Sequence, residues 1–74
     1  MPVVTIQVPA GALDADKKSA MIAKVTDAVV EAEGIPAVRA ATLVLIEEVS
    51  DGGWGIGGRA VTLEKMKAAL AAKA

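Results

Sequence analysis

The chain opens on an apolar segment. In Pro2-Val3-Val4-Thr5-Ile6-Gln7-Val8 the alternation places Val4, Ile6 and Val8 on one face of a strand and Val3, Thr5 and Gln7 on the other. The second face is only weakly polar, so cover is expected on both sides. Pro9-Ala10-Gly11-Ala12 breaks the strand into a loop. The period then changes. Met21, Ile22, Val25, Ala28, Val29 and Ala32 recur at helical spacing, with Lys17, Lys18, Lys24, Asp27 and Glu31 on the remaining faces. This predicts a helix from about Asp14 to Glu33. Asp14 is its N-cap, Asp16 complements the positive first turn, Gly34 ends it and Pro36 follows as a stop.

A second strand is expected from about Ala40 to Val49. Its centre, Leu43-Val44-Leu45-Ile46, is continuously apolar, as in a parallel strand covered on both faces. Strand, long helix and strand form one β-α-β unit with a right-handed crossover. The segment Ser50–Gly58 carries five glycines in nine residues and predicts a turn and short hairpin. Thr62 can cap a final helix with Leu63, Met66 and Leu70 on one face; the alanine-rich tail to Ala74 is expected to fray. The fold class is α/β, a single domain over residues 1–74.

Composition adds one constraint. Of 74 residues, 54% are apolar, more than a lone small domain can hide. Small cores gain support from disulfides, metals or oligomerisation. The chain has no cysteine and no histidine, and its carboxylates do not cluster as ligands, which argues against a disulfide or metal site. Oligomerisation is what is left. A two-stranded sheet also needs further packing to be stable; pairing with a second copy extends it, and stacking of such pairs covers the remaining apolar face.

Net charge is −1, no basic cluster exists, and Trp54 is the only aromatic residue. Nucleic-acid binding by stacking or a basic groove is not expected. No apolar run approaches a membrane span. The start reads as a strand rather than a signal peptide, so the expected compartment is the cytoplasm.

The candidate chemistry lies at Pro2. Methionine before proline is normally removed after synthesis, which would leave a secondary amine at the start of the first strand. A free α-amine titrates near ~8 and can serve as a base at neutral pH, where a lysine at ~10.4 stays protonated. With Met1 retained, the nitrogen is an amide and this chemistry is lost. The adjacent Glu47 and Glu48 face opposite sides of a strand and do not form an acid pair; a solvated or salt-bridged role fits them. The glycine-rich hairpin lacks the Lys-Ser/Thr of a phosphate loop, and turn geometry accounts for it.

Three features together carry a resemblance. They are the initial proline, a β-α-β unit of about 50 residues, and the string Glu48-Val49 followed by Trp54-Gly55-Ile56-Gly57-Gly58. Over roughly residues 2–60 the chain resembles the 4-oxalocrotonate tautomerase family. The resemblance implies a β-α-β fold assembled as an oligomer, commonly a hexamer, that uses no cofactor or metal. It implies that Pro2 is a general base moving a proton within a small enol or keto acid. Trp54 would line the pocket and keep it apolar, which lowers the amine's pKa by disfavouring its charged form.

The chain departs from that pattern at two positions. The family's two arginines, which grip carboxylates and stabilise enolate charge, correspond by position to Ala12 and Leu43. Losing both charge-assisted contacts would weaken dicarboxylate binding severely. Only Arg39 and Arg59 remain as candidate substrate-binding arginines. Arg59, at the end of the hairpin, could reach a neighbouring subunit's pocket; Arg39 aligns with the strand arginine only if an insertion follows it. Two alternatives stand beside the enzyme reading. One is a non-catalytic or half-catalytic subunit of a hetero-oligomer whose related partner chain supplies the arginines. The other is an assembly module that has lost the chemistry.

Overall fold

The computed structural model describes residues 1–73. Its elements run β1 (Val3–Pro9), α1 (Ala15–Glu33), a 3₁₀ helix (Pro36–Ala41), β2 (Leu43–Val49), β3 (Gly55–Ile56), β4 (Arg59–Ala60) and α2 (Leu63–Lys73). They fall into two compact units. The first comprises Met1–Ile6 and Leu13–Glu47, the second Gln7–Ala12 and the chain from Glu48 onward. β1 and β2 thus give their first residues to one unit and their last to the other.

β1 and β2 form a two-stranded sheet. At its start, Leu43 donates its N–H to the Pro2 carbonyl (3.0 Å); at its end, Ala10 donates to the Val49 carbonyl (2.8 Å). The strands begin together and finish together, so they run parallel, as the apolar centre of β2 predicts.

In the first unit, α1 is bounded by the residues its sequence nominates. Asp14, in extended conformation, accepts the Lys17 N–H on Oδ1 at 2.8 Å. Gly34 takes φ +70° and donates its N–H to the Val30 carbonyl (3.0 Å); a left-handed residue here favours glycine. The half-buried stripe of α1 includes Met21, Val25 and Val29, while Ile22, Ala28 and Ala32 stay exposed.

The second strand starts later than its sequence suggests. Ala40 and Ala41 close the 3₁₀ helix, and β2 begins at Leu43. Pro36 sits at the start of this helix, where a missing N–H costs nothing. Thr42 ends it by donating N–H to the Arg39 carbonyl (3.2 Å) and Oγ1–H to the Val38 carbonyl (2.8 Å).

In the second unit, β3 and β4 pair antiparallel with Gly55 opposite Ala60 and Ile56 opposite Arg59. Gly57 and Gly58 make the connecting turn at φ +61° and +85°, the pair of positive angles a two-residue type I′ hairpin requires. Gly55 is needed for another reason: a Cβ there would run into the Arg59 carbonyl oxygen. α2 is capped twice. Asp51 Oδ1 accepts the Leu63 N–H (2.8 Å), and Thr62 Oγ1 accepts the Lys65 N–H (3.2 Å). The helix runs through the alanine-rich tail, expected to fray, as far as Lys73; Ala74 lies outside the described residues.

Among the described residues no side chain is fully buried. The sheet shows why. Val4, Ile6, Val8, Val44 and Ile46 are half-buried, whereas Val3 (57% exposed), Leu43 (50%) and Leu45 (38%) present an apolar opposite face to water. No helix among the described residues is long and apolar enough to cross a membrane.

Candidate functional site

Pro2 lies in the first unit, immediately before β1, and is half-buried. Its carbonyl is the acceptor for Leu43 N–H. The residue is therefore fixed through its C-terminal side and not through its nitrogen. Met1, ahead of it, is 90% exposed. Leu43, one of the two positions matched to the family arginines, is thus a hydrogen-bonded neighbour of Pro2 and carries no charge.

The other such position, Ala12, closes the turn after β1. Its N–H donates to the Pro9 carbonyl (3.1 Å), and Gly11, third in that turn, has φ +84°. This is the positive angle that a type II turn demands of its third residue. The turn is tied down within the second unit by Ala10 N–H on the Val49 carbonyl and by Gly11 N–H on Glu48 Oε1 (3.2 Å). The loop is well anchored, but Ala12 offers only a methyl group.

Arg39 sits in the 3₁₀ helix of the first unit, where its Nη1 donates to Asp27 Oδ1 of α1 in a half-exposed ion pair. Its guanidinium is engaged within its own unit.

Trp54 and Arg59 belong to the second unit, and the structure brings them together. Both line a recess of about 390 Å³ whose other walls are largely glycine, Gly52, Gly53, Gly55 and Gly58. Small residues leave the backbone open there. Trp54 also lines a second recess of about 450 Å³ with Gln7, Pro9, Val49 and Met66. Its carbonyl accepts the Val61 N–H (3.2 Å), one step beyond the β3–β4 pairs. The indole Nε1 is buried and has no acceptor among the described residues. Buried indole N–H groups usually find a partner. The Arg59 guanidinium likewise has no carboxylate or carbonyl partner among the described residues. The Trp54 surroundings were not legible beforehand: Met66 and the end of β1 are far from Trp54 in sequence, and no periodicity connects them.

The first unit thus holds a half-buried proline at the head of a parallel strand, and the second a Trp-Gly-Ile-Gly-Gly hairpin. The family profile described as "Tautomerase enzyme" matches residues 2–64. The chain belongs to the tautomerase family. It is 38% identical over 68 residues to a protein of Dickeya dadantii (strain 3937) named "Probable tautomerase K2", a match that covers 92% of this chain and 98% of that protein. The tautomerase fold described above, β-α-β with a C-terminal hairpin and terminal helix, agrees with that membership, and the chain's class is tautomerase-like, among the isomerases. All four candidate residues, Pro2, Arg39, Trp54 and Arg59, fall inside the family match, whereas α2 from Lys65 onward lies past it.

Proposed function

We propose that the chain acts as an enol–keto tautomerase once Met1 is removed, with the Pro2 amine as general base. The observation that carries this reading is the way Pro2 is held. Its carbonyl is locked to Leu43 while an exposed Met1 precedes it. Cleavage of Met1 leaves the strand's hydrogen bond intact and frees the nitrogen. The amine lone pair takes the enol hydroxyl proton as the carbonyl forms, and the double-bond electrons shift to the carbon. The resulting ammonium returns its proton to that carbon. Atoms and charge balance with no cofactor. A positioned base of this kind contributes about 10²–10⁴-fold.

The substrate class follows from the charges near the candidate residues. Ala12 and Leu43 provide no cation, and Arg39 is paired with Asp27. Arg59 is left as the candidate anchor for one carboxylate or for enolate oxygen, with Trp54 as an apolar wall. A small monoacid or a phenyl-substituted enol suits this better than a dicarboxylate.

We infer that the working form is a homo-oligomer, a hexamer by family resemblance, in the cytoplasm. The support is the surface of the single chain. A folded monomer of 7.4 kDa exposes roughly 4,200 Å²; this chain exposes 5366 Å² and has no fully buried side chain among the described residues.

The missing arginines favour a second reading, in which a related chain contributes them to a mixed assembly. Ketonisation of a phenyl-substituted enol by the purified mature chain and its Pro2→Ala variant tests the first reading. A loss of about 10²-fold or more is expected, and equal rates would reject Pro2 as the base. If the purified chain is inactive but gains activity on mixing with an arginine-bearing relative, the second reading holds.

A further inference from the structure

Between the β3–β4 hairpin and α2, within the second unit, lies an open groove of about 470 Å³. Its apolar lining includes Ile56, Val61, Met66 and Leu70, and its two charged residues are Arg59 and Lys65. Ile56 is 62% exposed and Leu70 61% exposed. These large apolar side chains stand against water on either side of the same depression. Among the described residues neither the Arg59 guanidinium nor the Lys65 ammonium has an acidic partner, and none of them brings a carboxylate to the groove. Ile56, Arg59 and Val61 lie inside the residues matched to the tautomerase family, and Lys65, Met66 and Leu70 lie past them.

We propose that this groove binds an amphipathic monoanion, an aliphatic or arylalkyl carboxylate of medium length. Its apolar body would lie on Ile56, Met66 and Leu70, with its carboxylate between Arg59 and Lys65. The volume lies in the usual range for small-molecule sites, about 300–1,000 Å³. An apolar lining selects an apolar body. Two unpartnered cations select one negative head, and an arginine fork meets a carboxylate in two parallel hydrogen bonds. Cations are repelled, and a neutral alcohol forgoes the charge-assisted bonds. The proposal shares Arg59 with the function proposed above but does not depend on Pro2 chemistry: its readout is binding, so a Pro2 that proves not to be the base leaves it standing.

Amide NMR titration of the native, assembled protein with hexanoate, octanoate and decanoate, all below their micellar concentrations, is the test. Saturable binding of one decanoate per chain is expected, with shifts at Ile56, Arg59, Met66 and Leu70. Affinity should rise by up to about 4-fold per added methylene. Decanol and decyltrimethylammonium should bind at least about 10-fold more weakly. Leu70→Asn, at a position 61% exposed, should weaken decanoate about 10-fold, as should Arg59→Gln, with the amide spectrum of each free variant otherwise unchanged; Lys17→Gln on α1 should not. Decanol binding as tightly as decanoate, shifts that map away from the groove, or no saturable site would each overturn the proposal. So would groove amides that shift with protein concentration alone, which would assign the groove to a second copy of the chain.

Discussion

Replacing Leu45 with lysine tests whether the outer face of the β1–β2 sheet is covered by another chain. Leu45 is the third residue of β2 and shares its exposed face with Leu43. The single chain exposes 5366 Å² where a monomer of its mass would expose roughly 4,200 Å², an excess of about 1,200 Å². Two chains hiding that excess against each other would bury about 2,400 Å², within the range of obligate interfaces. Leu45 is 38% exposed. Covering the remainder contributes about 0.6–1 kcal/mol on the scale for a fully buried leucine. An ammonium forced into the same place costs several kcal/mol more. A total of about 3–5 kcal/mol per chain weakens association by at least ~10²-fold. Sedimentation velocity across the micromolar range, with circular dichroism on the same samples, reads the outcome. The parent should stay associated; Leu45→Lys should dissociate on dilution and lose helix with it; Leu45→Met should behave as the parent. A parent that sediments as a folded monomer, or a lysine variant that associates equally well, would refute the reasoning.

Other substitutions probe single features. Gly55→Ala drives a methyl group into the Arg59 carbonyl and should cost about 1–3 kcal/mol in thermal or denaturant unfolding. Asp51→Ala removes the cap on Leu63 N–H and should cost about 1 kcal/mol, read as faster amide exchange in the first turn of α2. Trp54→Phe deletes an indole N–H that has no acceptor among the described residues. The smaller ring forfeits apolar contact but no hydrogen bond, so unfolding free energy should fall by no more than about 2 kcal/mol; a larger fall would mean that an acceptor is supplied by the assembly. In ketonisation assays, Arg59→Gln should raise KM by about 10-fold, whereas Arg39→Gln, which breaks only the half-exposed pair with Asp27, should change turnover little.

The parts of the fold that the sequence announces are those set by local chemistry. Asp14 and Gly34 bound α1 because a side-chain acceptor and a left-handed glycine act within one turn of themselves. Gly57-Gly58 specifies its turn in the same way. The 3₁₀ helix over Pro36–Ala41 is silent by comparison. Its alanines carry no periodicity, and it depends on Thr42 bonding back to Val38 and Arg39. The α1 stripe reads wider in sequence than the residues half-buried in the structure, because apolar spacing reports what a helix offers and not what covers it. For the site, Pro2 and Trp54 stand out as residue types in rare contexts. The pairing of Arg39 with Asp27, the company of Trp54 with Met66 and Gln7, and the groove at Arg59 and Lys65 arise from contacts that no local pattern encodes.

The central claim is that a free Pro2 amine is the base, and one comparison isolates it. Chains of identical sequence with and without Met1, separated and verified by intact mass, differ at the proposed site only in whether the Pro2 nitrogen is an amide or an amine. Assayed side by side for ketonisation of a phenyl-substituted enol, the Met1-free form should be faster by about 10²-fold or more. Equal rates from the two forms would contradict the account.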